Sequence, residues 1–487
     1  MSGTTSHSSL ITSRAYIDGQ WCEAASGRTF EVTNPASGAV ITQVPDMDAE
    51  DTRRAIAAAH AAQPAWAALT AKERSNKLYA WFAAITAHSD ELARIMTCEQ
   101  GKPLAEAKGE VAYGASFIQW FAEEGKRAYG RTIPGFSGDR RLATIKQPVG
   151  VVAAITPWNF PIAMITRKAG PALAAGCTIV IKPAAETPLC ALALALLAEQ
   201  AGIPAGVINI VTSHQASAVG DELCSNPVVR KLSFTGSTRI GKLLMRQCAD
   251  TMKKLSLELG GNAPFIVFDD ADLDAAVAGA FASKYRNAGQ TCVCANRILV
   301  QASVYDAFAE KLTAAVKAFK VGDGMAEGTQ IGPLINPAAA SKVAELVKQS
   351  VAAGAEVLLG GEAHPAGPLF YQPTILGKVD KTNPILQEEI FGPVAPLVRF
   401  ETEAEAIAIA NDTPYGLAAY FYGRDIARVW RVAEQLEYGM VGINEGIIST
   451  ELAPFGGIKE SGLGREGAAE GLEEYLETKY LCFGAIR

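Results

Sequence analysis

The chain has 487 residues, of which 49% are hydrophobic and 20% are charged, and its formal net charge at pH 7 is −7. A chain of this length exceeds one ordinary hydrophobic core, so we expect two or three domains. The acidic balance excludes the basic surface that nucleic acid or an anionic membrane requires, and it favours a small, diffusible partner. No segment has the uninterrupted apolar length of a membrane span, so we expect no membrane partner.

The chain begins with a segment that carries no targeting pattern. Its first fourteen residues are rich in serine and threonine, and they contain no acid and no long apolar run, which predicts neither a secretory nor a transit peptide. The nine cysteines are an odd number scattered along the chain. That usage favours free thiols in a reducing compartment, so we expect a cytoplasmic protein.

Two helices and then a parallel sheet are predicted in the first half of the chain. The helices Ala49–Ala62 and Lys72–Ile95 follow turns rich in threonine, proline and glycine. From residue 148, short apolar strands alternate with amphipathic helices, which predicts βαβ units and a mainly parallel sheet. These elements are the strands Val149–Thr156, Thr178–Lys182, Val207–Val211 and Lys231–Phe234 and the helices Leu189–Glu199 and Thr238–Asp250.

A second alternating block, from Pro264 to about Pro454, predicts a second sheet of the same kind. Arg140–Ile145 and Tyr480–Ile486 fit neither block and are predicted to be exposed strands. Exposed strand edges invite pairing between subunits, so we expect an oligomer. The second block contains the strands Phe265–Phe268, Ile298–Val300, Val357–Leu359 and Ala395–Phe400 and the helices Leu273–Arg286 and Tyr305–Phe319.

The strongest local signal for chemistry is Asn287–Cys292, in which a glycine-containing turn leads into a cysteine. Its polar neighbours suit a nucleophile better than a core thiol. A cysteine hydrolase needs a histidine base, and none of the five histidines lies in a glycine-bounded or strand-end setting. Glu258, between two leucines and before Gly-Gly, is the best candidate base, because burial at a strand end raises the pKa of a carboxyl group. A salt-bridged or surface glutamate is the alternative interpretation.

The obvious dinucleotide motif is misleading. Gly462–Gly467 matches G-x-G-x-x-G, but no apolar strand precedes it and no βαβ unit surrounds it, so we reject it as a cofactor loop. The strand Lys231–Phe234, followed by Thr235-Gly236-Ser237-Thr238 and a helix, is a better site for pyrophosphate. Asn159 lies in the turn that closes another strand and is placed to donate to a developing oxyanion, although an ordinary turn would look the same.

Together these segments resemble the aldehyde dehydrogenase superfamily over essentially the whole chain beyond the first dozen residues. The resemblance implies an α/β fold with two doubly wound parallel-sheet domains and a small antiparallel oligomerisation domain, assembled as a homodimer or homotetramer. The cofactor domain would span residues 1–130 and 149–257, the catalytic domain 258–465, and the oligomerisation domain 131–148 and 466–487. The matching motifs are Thr156–Pro161, Lys182–Pro188, Phe234–Gly241, Leu257–Asn262, Asn287–Cys292, Glu388–Pro393 and Pro454–Gly457.

The resemblance also implies roles in the oxidation of an aldehyde to an acid. Cys292 would attack the aldehyde, and Asn159 and the Cys292 amide would bind the oxyanion. After hydride transfer to NAD or NADP, Glu258 would activate the water that hydrolyses the thioester. The positions that match cofactor contacts are Thr156, Trp158, Lys182, Ala185, Gly236, Ser237, Glu389 and Phe391.

Within the superfamily, the chain is most similar to succinate-semialdehyde dehydrogenases. That branch holds the distal carboxylate of its substrate with two arginines and a serine, which correspond here to Arg167, Arg286 and Ser449. A guanidinium group binds a carboxylate bidentately, although either arginine would also serve to brace the fold. A dehydrogenase for glutarate semialdehyde or another semialdehyde acid is the nearest alternative, because one methylene is worth only about 1–3 kcal/mol. The segments that carry this similarity are Ile165–Lys168, Lys284–Asn287, Asn444–Ser449 and Ser461–Gly467.

Two finer predictions rest on the same resemblance. Ala185 stands where NAD-preferring relatives often have a glutamate that binds ribose, so the missing charge predicts a preference for NADP. Cys294 forms a Cys-x-Cys pair with Cys292 that some relatives oxidise to a disulfide, and we expect it to be redox-regulatory.

The sequence disfavours two classes of protein other than a dehydrogenase. A cofactor-free thioester or ester hydrolase is disfavoured by the strand, glycine turn and helix at Phe234–Gly241. A binding protein that has lost catalysis is disfavoured by the joint presence of Asn159, Glu258 and Cys292. No metal-ligand spacing is present, so we expect no metal site.

Overall fold

The computed structural model describes residues 8–486. The first seven residues, half of the segment predicted to carry no targeting signal, lie outside the described part, as does Arg487. Within the described part, no helix combines the length and the apolar content needed to cross a membrane.

The first sheet formed by the described residues has eight strands. Its centre consists of Val151–Ile155 between Thr178–Lys182 and Val229–Thr235, and all three strands are parallel. Alternate residues of one strand enter two different hydrophobic cores: Val152 lies in one and Val151 in the other. Both faces are therefore covered, as the apolar runs predict. In spatial order the strands are Gly462–Leu463, Lys254–Glu258, Val229–Thr235, Val151–Ile155, Thr178–Lys182, Ile208–Ile210, Ala15–Ile17 and Gln20–Cys22.

The helices in the first half of the chain correct one prediction. The single helix predicted over Lys72–Ile95 is wrong, because the chain forms two helices separated at His88. His88 has φ −103° and ψ 20°, and the acids Asp90 and Glu91 favour a new helix start just after it. The helices are Ala49–Ala68, Ala71–Ala87, Ser89–Gln100, Leu104–Glu124, Ala163–Ala175, Pro188–Gln200, Ala216–Ser225 and Thr238–Cys248.

The second sheet formed by the described residues has seven strands, and it is parallel apart from its edge strand Glu356–Leu359. In spatial order the strands are Glu356–Leu359, Thr374–Gly377, Val394–Phe400, Ala295–Gln301, Ala263–Val267, Ala418–Tyr422 and Met440–Ile443. The helices of this half are Leu273–Tyr285, Tyr305–Lys317, Pro337–Ala352, Glu403–Asn411 and Ile426–Gln435. The later helix Ala468–Glu473 packs against Leu104–Glu124 and Ala163–Ala175 of the first half.

A small antiparallel sheet contains both of the segments that fit neither block. Arg141–Pro148 pairs with Leu476–Phe483 on one side and with Arg131–Ile133 on the other. A separate hairpin joins Thr29–Thr33 and Val40–Pro45. The two parallel sheets and the small antiparallel sheet confirm the predicted fold class. The predicted domain boundaries stay a prediction, and their outer ends fall beyond residues 8–486.

Candidate active site

Four neighbouring strands of the first sheet place predicted site residues at one edge. Lys182 and Glu258 end their own strands, and Thr156 directly follows Val151–Ile155. Glu258 lies beside Thr235 in the register of the sheet, and Gly236 follows Thr235. Because ligands of parallel sheets collect at the carboxyl ends of strands, this edge is the expected position of a site.

A cavity of about 290 Å³ opens at this edge, and residues of both parallel-sheet halves line it. The predicted residues Asn159 and Cys292 are in its wall, together with five predicted cofactor positions: Trp158, Gly236, Ser237, Glu389 and Phe391. The remaining predicted residues are outside this lining: Thr156, Arg167, Lys182, Ala185, Glu258, Arg286, Cys294 and Ser449.

Cys292 lies at the end of an irregular segment, residues 286–292, which we call the nucleophile loop. Asn287, Ala288 and Gly289 all have positive φ, of 51°, 55° and 75°. A Cβ on Gly289 would overlap the carbonyl oxygen of Gly392, so glycine is required there. Burial raises the pKa of the Cys292 thiol to about 12, although the charge of Arg167 opposes the shift. The free thiol is therefore protonated at neutral pH.

The Asn159 side chain lies against the nucleophile loop. Its Nδ2 donates to the carbonyl oxygen of Gln290 at 3.1 Å. Its Oδ1 is buried and has no hydrogen-bond partner among residues 8–486. An amide group with this placement is able to donate to an oxygen atom bound near Cys292.

Glu258 is a buried acid, only 3% exposed. Neither carboxyl oxygen has a hydrogen-bond partner in the described part of the chain. Burial raises its pKa well above the ordinary value, and the negative charge of Glu466 adds to the shift. A carboxyl group whose pKa is raised by burial is a stronger base than an exposed one when it is ionised, and water activation requires such a base.

A buried ion-pair cluster lies next to Glu258, and the sequence did not reveal it. Glu466 pairs with both Arg167 and Lys168. Lys168 also donates to the Thr235 hydroxyl at 2.7 Å. Glu466 lies inside the rejected G-x-G-x-x-G segment, and nothing in the sequence distinguishes it from a surface acid.

The predicted carboxylate site is defined as Arg167, Arg286 and Ser449. Only some of its polar groups bond to other residues. Arg167 is 1% exposed, and its Nη2 has no partner within residues 8–486 although its Nε pairs with Glu466. The Arg286 guanidinium lies 4.8 Å from the centre of the Phe160 ring. Ser449 is half-buried in the segment after Met440–Ile443.

Tyr113 is a second residue that the sequence did not reveal. Its side chain packs against Phe160 and the start of the helix Ala163–Ala175. Its hydroxyl is buried and lacks a hydrogen-bond partner in the part of the chain that the structure describes. Burial raises the pKa of this hydroxyl, while the charges of Arg167 and Arg286 lower it. A tyrosine on a largely buried helix gives no functional signal in a sequence.

The other end of the cavity fits a nucleotide. Gly236 and Ser237 precede the helix Thr238–Cys248, and a Cβ on Gly236 would lie 2.5 Å from the Phe234 ring. A helix N-terminus reached through a glycine turn is suited to phosphate groups. The Trp158 and Phe391 rings meet edge to face at 5.6 Å and form an apolar wall.

Three polar groups lie near this end. Glu389 accepts from the Gly261 amide at 3.1 Å, and burial raises its pKa to about 7. Lys182 donates to the Pro183 carbonyl at 3.1 Å, and burial lowers its pKa. The Thr156 hydroxyl is buried with no partner among the described residues. An unpaired hydroxyl and a buried lysine are groups that a bound nucleotide can satisfy.

The G-x-G-x-x-G segment lacks the context of a cofactor loop, as predicted. Gly462–Leu463 forms a strand antiparallel to Leu257–Glu258, so it does not begin a βαβ unit. Gly462, Gly464 and Gly467 have φ of 143°, 82° and 74°. These backbone conformations favour glycine, so they account for the three glycines without a cofactor.

Cys294 contacts a lysine and not Cys292. Its Sγ lies 3.3 Å from the Nζ of Lys284, and its amide donates to the Thr291 carbonyl at 3.2 Å in a tight turn. Both cysteines are free thiols. Among residues 8–486, no group of three or more His, Cys, Asp or Glu side chains is arranged to hold a metal ion.

Comparison with known proteins agrees with this geometry. A family model described as "Aldehyde dehydrogenase family" matches residues 21–481. A succinate-semialdehyde dehydrogenase [NADP(+)] of Escherichia coli is 64% identical, with 98% of this chain and 99% of the relative covered. A glutarate-semialdehyde dehydrogenase of Pseudomonas aeruginosa is also 64% identical, with the same coverage. The crystal structure of a succinate-semialdehyde dehydrogenase from Burkholderia pseudomallei is 59% identical and superposes with a TM-score of 0.98, over 99% of this chain and 100% of that chain.

Proposed function

The chain belongs to the aldehyde dehydrogenase family, and from this premise we propose that it oxidises succinate semialdehyde to succinate with NADP as the preferred cofactor. The observation behind the substrate is the buried Nη2 of Arg167, which has no partner within residues 8–486. A buried N–H of a charged group is costly to leave unpaired, and a substrate carboxylate would satisfy it. The name of the Escherichia coli relative supports the same substrate and cofactor.

In the proposed mechanism, the Cys292 thiol loses its proton to water, and the thiolate attacks the aldehyde carbon. The carbonyl π bond breaks as the S–C bond forms, which gives the oxyanion of a thiohemiacetal. The charge of Arg167 favours the thiolate against the effect of burial. Asn159 Nδ2 and the Cys292 amide donate to the oxyanion, and one such donor contributes about 3 kcal/mol. NADP, when bound, would accept the hydride of the thiohemiacetal carbon, and Cys292 would then carry a thioester. Glu258 then removes a proton from the water that hydrolyses the thioester.

The cofactor would be held by residues at the other end of the cavity. Gly236 and Ser237 would bind the pyrophosphate at the helix N-terminus, and Trp158 and Phe391 would contact the rings. Thr156, Lys182 and Glu389 would supply polar contacts. Ala185 would leave no carboxylate at the position where NAD-preferring relatives often have a ribose-binding glutamate, and the missing charge supports NADP over NAD.

Glutarate semialdehyde is the second candidate substrate. It is favoured by the name of the Pseudomonas aeruginosa relative, whose identity to this chain is the same 64%. The two substrates share an aldehyde and a distal carboxylate, and they differ by one methylene. The carboxylate site would bind either, so kinetics must decide between them.

The test is steady-state kinetics with succinate semialdehyde, glutarate semialdehyde and uncharged butanal, each with NADP and with NAD. We expect kcat/KM to be highest for the four-carbon acid with NADP, and Arg286→Ala to erase its advantage over butanal. Arg399→Ala is the matched control, because Arg399 also lies over an aromatic ring but at an exposed position. If butanal equals the acids in the wild type, the carboxylate site is refuted. A clearly higher kcat/KM with NAD refutes the cofactor preference.

We also propose that Cys294 makes the enzyme sensitive to oxidation. The tight turn at Thr291–Cys294 brings the two thiols of the Cys-x-Cys pair onto one loop. Peroxide should inactivate the wild type in a manner that dithiothreitol reverses, and Cys294→Ala should lose the reversible part. Irreversible inactivation of both proteins to the same extent would refute the role.

The assembly and location remain proposals as well. A homodimer or homotetramer is supported by the outer edge of Leu476–Phe483 in the small antiparallel sheet, which no strand within residues 8–486 pairs with. A cytoplasmic location is supported by the use of cysteine as free thiols.

A further inference from the structure

Asn159 is connected to a buried ion pair that is not part of the cavity wall. Lys102 is 2% exposed, and its Nζ donates to the Asn159 carbonyl oxygen at 2.8 Å. The same Nζ donates to Glu110 at 2.5 Å, and Glu110 is 1% exposed. Lys102 therefore holds the backbone of Asn159 from inside the protein.

The carboxylate of Glu110 also bonds to a second part of the site. The other oxygen of Glu110 accepts from the Ile162 amide at 3.0 Å and from the Ala163 amide at 3.3 Å. These amides begin the helix Ala163–Ala175, which positions Arg167. One ion pair thus links the backbone of Asn159 to the helix of the carboxylate site.

A side-chain network connects the same point to the nucleophile loop. Asn287 Nδ2 donates to the Asn159 carbonyl at 3.0 Å and lies 3.3 Å from the Gln290 carbonyl. Gln100 Nε2 donates to the Asn287 side chain at 3.0 Å, and Gln100 Oε1 accepts from the Lys102 amide at 2.9 Å. The contacts of Lys102 and the loop of the nucleophile are therefore parts of one buried network.

Stability alone is a weak explanation for this ion pair. Taking two charges out of water costs about as much as their attraction returns, and apolar replacements of buried pairs are often neutral or stabilising. Precise geometry at an oxyanion site is different, because a misplacement of about 1 Å can lower a rate roughly 100-fold. The pair lies where the backbone of the oxyanion donor has to be held in place.

We propose that Lys102 and Glu110 are positioning residues for the Asn159 side chain during oxyanion formation. The proposal rests on the oxyanion role given to Asn159 in the proposed function. Lys102 and Glu110 do not touch the substrate; they act through the Asn159 carbonyl and the first amides of the helix Ala163–Ala175.

The test is a double-mutant cycle between Glu110→Gln and Asn159→Ala. Glutamine keeps the size of the side chain and an acceptor for Ile162 and Ala163, but it removes the charge that holds Lys102. In the wild-type background we expect kcat to fall about 10- to 100-fold with KM changed less than about threefold. In the Asn159→Ala background the same substitution should cost less than about threefold.

Glu99→Gln is the matched control. Glu99 is fully buried, and it accepts from the amides of Leu189 and Cys190 at the start of another helix, both at 2.8 Å. Its loss should leave kcat within about threefold and show no coupling to Asn159→Ala. Coupling of the same size at Glu99 would overturn the proposal.

The remaining outcomes separate this proposal from the proposed function. Equal losses from Glu110→Gln in both backgrounds would mean that the pair only supports the fold, and they would overturn this proposal alone. A wild-type kcat in Asn159→Ala would overturn the oxyanion role and this proposal with it. If Glu110→Gln does not fold, Lys102→Arg goes through the same cycle, because arginine keeps the charge but changes the contact with the Asn159 carbonyl.

Discussion

Two buried acids of opposite behaviour lie side by side in the site. Burial raises the pKa of Glu258, whose carboxyl oxygens have no hydrogen-bond partner within residues 8–486. Burial would raise the pKa of Glu466 too, but the charges of Arg167 and Lys168 outweigh it and lower that pKa. One acid is thus kept ionised as a structural anchor, and the other is available for proton transfer.

The raised pKa of Glu258 predicts a pH-dependent deacylation. Only the carboxylate accepts a proton from water, so hydrolysis of the thioester should speed up as pH rises through the raised pKa. Glu258→Gln should keep a pre-steady-state burst of NADPH and slow steady-state turnover more than about 100-fold. Stopped-flow absorbance across pH measures both phases. Loss of the burst, or a flat pH profile in the wild type, would contradict this role.

The unpaired hydroxyl of Tyr113 predicts a contribution to substrate choice. The charges of Arg167 and Arg286 both lower the pKa of this hydroxyl, and its ring packs beside Phe160, over which the Arg286 guanidinium lies. A hydrogen bond to a charged group contributes about 1.5–3 kcal/mol, so Tyr113→Phe should lower kcat/KM for succinate semialdehyde roughly 10- to 100-fold. Butanal oxidation should stay within about threefold.

Tyr475→Phe is the control for that substitution. The Tyr475 hydroxyl is also buried and lacks a partner among the described residues, but the charges that shift its pKa are those of Glu466 and Glu474. It should leave the preference for the acid unchanged. An equal loss for butanal in Tyr113→Phe would show that the hydroxyl has no part in carboxylate binding.

What the sequence reveals about single residues depends on their local context. Cys292 follows Gly289 by three residues and Glu258 precedes Gly260 by two, and that pattern predicts irregular backbone or a strand end. Lys102, Glu110 and Glu466 were missed because a charged residue on a helix or in a loop normally indicates solvent. Their burial follows from contacts more than 50 residues apart in the chain, such as Lys102 with Asn159, which no local pattern contains.

At the scale of elements, runs of apolar residues were the reliable signal. The buried strand Thr178–Lys182 was predicted with the bounds that the structure has, because a parallel strand covered on both faces is apolar throughout. Short strands such as Ala15–Ile17 were missed, since three residues carry too little pattern. The break at His88 was missed because the same periodicity continues through both helices.

The turn before Cys292 gives a prediction at this scale. Gly289 has φ +75°, and a Cβ there would overlap the Gly392 carbonyl. Gly289→Ala should therefore displace the nucleophile loop and lower kcat at least about tenfold. Gly328→Ala is the control: Gly328 has φ +76°, and the nearest atom to its Cβ would be the tip of Lys320 at 3.6 Å. It carries the same backbone strain of about 1–2 kcal/mol without the overlap.

The measurement for this pair is kcat together with thermal unfolding. Both variants should lower Tm because both force a non-glycine residue to a positive φ. Only Gly289→Ala should lose activity in the folded protein. Equal activity in the two variants would show that the loop tolerates displacement, and it would contradict the argument that Gly392 limits its position.

At the scale of the whole molecule, the small antiparallel sheet and its connections are one of the regions that expose apolar side chains. Phe136 is 76% exposed, Tyr129 73% and Tyr480 56%. Patches of this kind mark protein interfaces more often than free surface. Within residues 8–486, no strand pairs with the outer edge of Leu476–Phe483, so the same region also presents unpaired backbone groups. We therefore propose this sheet as a surface for contact with a second copy of the chain.

A single charged substitution tests whether this sheet holds the subunits together. A chain of 51.3 kDa should elute as two or four times that mass in size-exclusion chromatography with light scattering. Tyr480→Asp should shift the mass to a smaller species, because burying an unpaired carboxylate in an interface costs several kcal/mol. Val357→Asp is the control, since Val357 is 45% exposed on the edge strand Glu356–Leu359 of the second sheet. A monomeric wild type, or the same shift in both variants, would rule out the sheet as the assembly surface.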